Sequence, residues 1–131
     1  MLVGPAELMA KGRLLRKRLG GGMRQAGVLA APGLVALSQM VDGLADDHAR
    51  AARLADAVAG RWPDSGLDPA SVRTNIVTFP HPEPDSLLAH LEGNGVMAGT
   101  IAPNVVRLVT HHDVDDAGIE RAVGALVSAS N

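Results

Sequence analysis

Two places in this chain carry residues suited to chemistry, and both are cationic. The first is Arg16-Lys17-Arg18-Leu19-Gly20-Gly21-Gly22-Met23-Arg24-Gln25-Ala26-Gly27, where a cluster of cations, three consecutive glycines and another cation precede a run of helix-forming residues. Backbone without side chains can approach a ligand closely, and a helix N-terminus offers free N–H groups and partial positive charge, so the stretch is suited to a bound anion. The alternative is a flexible glycine loop between two helices with surface arginines on either side. The second place is Arg107, in Val105-Val106-Arg107-Leu108-Val109-Thr110. A guanidinium in a strand that is apolar on both faces is costly to bury without an anion. Its planar fork of donors fits a carboxylate held by two parallel bonds, either that of a substrate or that of an internal Asp or Glu.

Other chemistries find less support. His111-His112-Asp113 invites a metal, but adjacent side chains diverge and no further ligand lies at metal spacing, so no metal site is expected. No G-x-S-x-G elbow is present to supply a hydrolytic serine. Neither Lys11 nor Lys17 follows a strand and a Ser or Thr, as a Schiff-base lysine for a cofactor does. Cysteine is absent, which removes disulfides, thiolate catalysis and Cys-based zinc sites. A net charge of −2 and only two aromatic residues, Trp62 and Phe79, argue against a nucleic-acid surface. No signal peptide or membrane-length apolar run is seen, and the reading is of a cytoplasmic protein.

The elements that must position these cations follow from periodicity and punctuation. A helix is expected over 6–19, with cations in its last turn complementing the helix dipole, and Gly20 to Gly22 end it. Helical pattern resumes at Met23, and Pro32-Gly33 predicts a kink or break near 29–33. Leu34, Leu37, Val41, Leu44, Ala51, Ala55 and Val58 continue a seam in three- and four-residue steps. The seam is either one long helix or two joined near Gly43, with Asp46-Asp47 as a new first turn and His48 as a hydrogen-bonded structural residue within it. Strands are expected over 72–79, 96–98 and 104–110, the last two as a hairpin, with helices from Asp85 to Glu92 and from Asp115 or Asp116 onward. Leu2-Val3 before Gly4-Pro5 resembles the end of a strand. The sum is an α+β layer of about three strands with helices on one face.

The glycine stretch resembles the R-K-x-x-G-G-G-M-R-Q-x-G signature of the low-specificity threonine aldolases, pyridoxal-phosphate lyases of the aspartate-aminotransferase fold (fold type I). Leu44-Ala45-Asp46-Asp47-His48-Ala49-Arg50-Ala51-Ala52 is similar to that family's L-x-E-D-H-x-x-A segment, Thr74-Asn75-Ile76-Val77 to its T-N-x-x strand, and Val106-Arg107-Leu108-Val109-Thr110-His111 to its V-R-L-V-T-H strand. Four segments in order make the resemblance specific. Pro32 stands where the family commonly has alanine.

Family members are two to three times longer, and the resemblance is to their C-terminal part. It implies a division into 1–22, a remnant of the large cofactor domain's edge with the glycine loop; 23–60, a long helical connector between domains; and 61–131, the small α+β domain. It implies that the Schiff-base lysine precedes Met1, so no catalytic residue is assigned in this chain. Arg107 is carried over as the binder of the substrate α-carboxylate and Lys17 as a lysine near the substrate. Arg24 is carried over as a residue near the cofactor phosphate or a subunit contact. Pyridoxal 5'-phosphate is implied for the intact enzyme but not for this chain alone, as are an amino-acid substrate and a homo-oligomer, a tetramer in the family. The expected function is the C-terminal portion of a lyase that cleaves threonine-type β-hydroxy-amino acids to glycine and an aldehyde, inactive by itself. The alternative is a non-catalytic remnant that serves as an oligomerisation or binding module.

Overall fold

The computed structural model describes residues 2–130, which form two compact units, Met1–Val41 and Asp42–Asn131. Met1, in the strand end expected at the start, lies outside the described residues; Leu2 to Gly4 adopt no regular structure.

The first unit holds α1 (Ala6–Arg18) and α2 (Gly27–Val35), the latter continued by a π-helical turn at Ala36–Met40. None of these elements buries a residue. Of the kink or break expected near 29–33, no break occurs: Pro32 sits inside α2, and the helix changes to the wider π turn only after Val35. Proline removes one N–H and crowds the preceding turn, which a helix can relieve by local rewinding rather than by breaking. Ser38 Oγ donates to the Leu34 carbonyl at 2.7 Å within that turn.

The second unit begins with α3 (Leu44–Arg61), so the seam is divided and the new helix starts at Leu44. Asp46 and Asp47 occupy its first turn, where negative charge complements the dipole. Ala51, Leu54, Ala55 and Val58 are buried at three- and four-residue steps. His48 is exposed and lies off this seam. Two single-turn 3-10 helices, Pro63–Ser65 and Pro69–Ser71, then lead to β1 (Ile76–Pro80). α4 (Pro84–Gly93) starts on a proline at its first position and is closed by Gly95, whose φ of 72° is left-handed. β2 (Gly99–Ala102) starts three residues later than expected. It turns through Pro103 and Asn104 (φ 58°), the residue pair of a type II turn, into β3 (Val105–Val109). α5 (Asp116–Ser128) closes the chain, with Asp115 Oδ1 accepting from the Gly118 N–H at 2.8 Å as its cap.

The sheet is antiparallel in the order β1-β3-β2, giving the expected α+β layer of three strands. Alternation sends Val77, Phe79, Val106 and Leu108 inward, where they form one core with α3, α4 and α5 through Leu54, Val58, Leu87, Leu91, Ile119 and Leu126. Trp62 stacks on Phe79 with centroids 5.7 Å apart, and the buried His81 ring meets Trp62 edge to face at 5.0 Å. Trp62 Nε1 and His81 Nε2 have no hydrogen-bond partner in the fold. No single helix among the described residues is long and apolar enough to cross a membrane.

Candidate functional site

The glycine stretch is built as the end of a helix rather than the start of one. Gly20, with φ at 80°, lets the Gly20 N–H reach the Lys17 carbonyl at 3.3 Å and the Gly21 N–H reach the Arg16 carbonyl at 2.8 Å. This paired closure satisfies two of the last carbonyls of α1 and needs a residue without a Cβ at the left-handed position. Gly22 is bare for a second reason: a Cβ there would sit 3.0 Å from Lys17 Cδ. α2 begins only at Gly27, so the run is a C-cap and offers no helix N-terminus to an anion. Lys17, in the last turn of α1, and Arg24, in the connection to α2, are both exposed in the first unit. Arg107 lies in the second unit.

β3 places Arg107 by alternation, between inward-facing Val106 and Leu108. Its side chain therefore stands on the open face of the sheet and is exposed, not buried as a doubly apolar strand suggested. The helices cover one face only, so neighbouring apolar residues do not imply two covered faces. The internal carboxylate considered as its partner is also absent: among the described residues Arg107 has no ion pair or hydrogen bond. Three other cations of this unit are paired, whereas Arg73 and Arg121, like Arg107, show no ion pair or hydrogen bond among the described residues. Arg50 Nε donates to Asp116 Oδ1 at 3.0 Å, Arg53 pairs with Glu120 and Asp116, and Arg61 donates to the Ala129 carbonyl. The hydrogen bond to Asp116, opposed by burial and helped by the surrounding carboxylates, holds the Arg50 guanidinium more basic than usual.

A cleft of about 520 Å³ lies between the end of β3, the Gly95–Gly99 segment and the first half of α5, and Arg107 is among the residues that line it. Leu54, Ile119 and Ala122 supply its apolar floor; His111, Asp113 and Arg121 stand at its polar rim. The two rim groups nearest β3 are local partners: His111 Nδ1 accepts from the Asp113 N–H at 3.3 Å and lies 3.7 Å from Asp113 Oδ2. A guanidinium without a protein partner beside an apolar-floored cleft suits a small carboxylate that carries an aliphatic group.

Three residues beyond Arg107, a hydrogen-bonded knot fixes the strand. The buried Thr110 donates through Oγ1 to the Asp47 carbonyl at 2.7 Å, its N–H donates to the Asn75 carbonyl at 3.0 Å, and its own carbonyl accepts from Asn75 Nδ2 at 2.7 Å. One residue from each of three motif-bearing segments, around Asp47, Asn75 and Thr110, thus meets at one point. Composition and periodicity did not single them out as a set. The available signal was polar residues, Asn75 and Thr110, at the ends of otherwise apolar strands.

Among the described residues, no set within either unit is arranged to hold pyridoxal phosphate, which the resemblance implies for the intact enzyme. The glycine run is a C-cap, Lys11 Nζ is 2.8 Å from Glu7 Oε1, and Trp62 and Phe79 stack on each other.

Known proteins share these segments. The family model for beta-eliminating lyases matches residues 1–80. A probable low-specificity L-threonine aldolase 2 of Arabidopsis thaliana is 40% identical over 125 residues, which cover 92% of this chain and 35% of that protein. The low-specificity L-threonine aldolase 1 of the same plant is 31% identical over 134 residues, covering 98% and 37%. The low specificity L-threonine aldolase of Escherichia coli K12 is 35% identical over 116 residues, covering 87% and 33%. The chain spans about a third of the length of these relatives. With a family model matched over more than half of its length and these relatives in agreement, the chain belongs to the beta-eliminating lyase family, among the low-specificity threonine aldolases.

Proposed function

We propose that this chain supplies the substrate-carboxylate part of a threonine-aldolase-like lyase, an enzyme that cleaves a β-hydroxy-α-amino acid to glycine and an aldehyde. The observation that carries the reading is Arg107, which has no ion pair or hydrogen bond among the described residues and belongs to the lining of a cleft of about 520 Å³. In this reading 61–131 is the small domain of a fold type I enzyme, reached through the connector 23–60, and Arg107 holds the α-carboxylate through two parallel hydrogen bonds. The Asp47–Asn75–Thr110 knot keeps β3, and so the guanidinium, in place. In the intact enzyme Lys17 keeps its carried-over role near the substrate, and Arg24 its role near the cofactor phosphate or at a subunit contact. Pyridoxal phosphate there supplies the electron sink for breaking the Cα–Cβ bond. By itself this chain binds the amino acid without converting it. Equilibrium dialysis with labelled L-threonine tests the reading: unlabelled L-threonine competes, and L-threoninamide, which lacks the carboxylate, does not. Equal competition by both would refute it.

One observation favours the second reading, a binding or oligomerisation module. Val28, Leu29 and Leu34 of α2 are each more than 60% exposed, an apolar run suited to association with another copy. Analytical ultracentrifugation decides it: a monomer across micromolar concentrations removes that reading, and a dimer or tetramer broken by Leu29→Glu supports it.

A further inference from the structure

The pairing of β2 with β3 stops short, and what it leaves open lies beside Arg107. Gly99 is opposite Arg107, and β2 does not continue toward Gly95. Extending the same antiparallel register by two residues sets Ala98 opposite Leu108 and Met97 opposite Val109. Thr110 turns its N–H toward Asn75 on β1, so the N–H and carbonyl of Val109, one residue away, point to the other side, where β2 would continue. The extended register also keeps the faces consistent. Ala98, already part-buried against the core, would share the inner face with buried Leu108, Val96 stays tied to the Leu91 carbonyl at 2.9 Å, and Met97 would share the outer face with Arg107 and Val109. Met97 is 95% exposed, the highest value among the exposed large apolar side chains, and Val109 is 41% exposed. The segment is bracketed by left-handed Gly95 and by Gly99, whose Cα has nothing within 4 Å of a Cβ position. Val96-Met97-Ala98 is also the stretch whose sequence favours a strand.

We infer that Val96–Ala98 is a strap that zips onto the free edge of β3 when a carboxylate occupies Arg107, with Met97 closing over the bound group. This rests on the carboxylate reading of Arg107. The coupling has a physical cause. Closure brings an apolar side chain beside a guanidinium that has no protein partner and strips its water, which is unfavourable for a bare charge and acceptable once an anion pairs with it. The ligand therefore binds the closed form more tightly and shifts the population toward it. In the closed form Val109 gains two backbone hydrogen bonds, to the N–H and the carbonyl of Met97.

Amide hydrogen exchange on the full chain tests this, with L-threonine as the probe and the Arg107 Nε–Hε resonance followed in the same samples. L-Threonine is expected to slow exchange at Val109 about tenfold, and Met97→Pro, which lacks the N–H that closure requires, to abolish that slowing. Met97→Ala is expected to weaken L-threonine binding several-fold with the unfolding midpoint unchanged, as its exposed position removes no core contact. If the Arg107 resonance shifts with L-threonine while Val109 exchange stays the same, the strap is overturned and the carboxylate reading stands. If Val109 is slowed equally in Met97→Pro, the strap is likewise overturned. If neither Arg107 nor Val109 responds, the carboxylate reading fails and the strap with it.

Discussion

Arg107 shows how the fold can change the physical reason for singling out a residue. Its sequence setting argued for a buried charge in need of an anion. The strand instead gives it the open face of the sheet, and the need is weaker: an exposed guanidinium is stable in water and selects a ligand through geometry and the adjoining cleft. Arg107→Lys keeps the charge but loses the bidentate fork, so L-threonine affinity is expected to fall roughly tenfold in the dialysis measurement, with little change in stability. Thr110 is the opposite case, inconspicuous in sequence and central in the fold. Thr110→Val removes the Oγ1 bond to the Asp47 carbonyl without changing the side-chain shape much, leaving that buried carbonyl only its place in the α3 ladder. Denaturant unfolding followed by Trp62 fluorescence should show a loss of about 1–3 kcal/mol. An unchanged midpoint would mean that the knot does not hold β3.

At the level of elements, what was legible depended on whether a local rule decides the structure. Helix α5 starts where Asp115 caps it, and Asp115→Ala is expected to lower stability by about 1 kcal/mol in the same denaturant assay. The interior of α3 followed from its apolar steps because one face packs on the sheet. The glycine run was legible as the end of α1; what the sequence left open was whether it also led straight into the next helix, and α2 begins only at Gly27. Pro32 misled because the proline rule is local, whereas α2 absorbs it and shifts the irregularity to Ala36–Met40. The late start of β2 was not readable: Val96-Met97-Ala98 has strand propensity, and only the register shows that it is unpaired. The Arg50–Asp116 link between α3 and α5 raises the folded-state basicity of Arg50, so its contribution is complete below the usual arginine range and is lost only as pH rises past it. Unfolding free energies of the parent and of Arg50→Gln should accordingly differ by a constant amount between about pH 6 and 9; a difference that changes across that window would point to another titrating partner.

For the whole molecule, the two units differ in a way that the sequence did not reveal. Asp42–Asn131 encloses a continuous core of its own, whereas no element of the first unit buries a side chain. The four motif-bearing segments fall one in the first unit and three in the second, and those three meet at the knot below Arg107. Purified chain given pyridoxal phosphate and L-threonine should therefore form no glycine or acetaldehyde above the protein-free rate; turnover would show that the chain needs nothing further. The central claim, that Arg107 receives the carboxylate of an amino acid, is tested most directly on its own side chain, by following the Arg107 Nε–Hε resonance through a titration. The account predicts a saturable shift with L-threonine, none with L-threoninamide, and loss of L-threonine binding in Arg107→Gln. The same shift with the amide, or undiminished binding in Arg107→Gln, would contradict it.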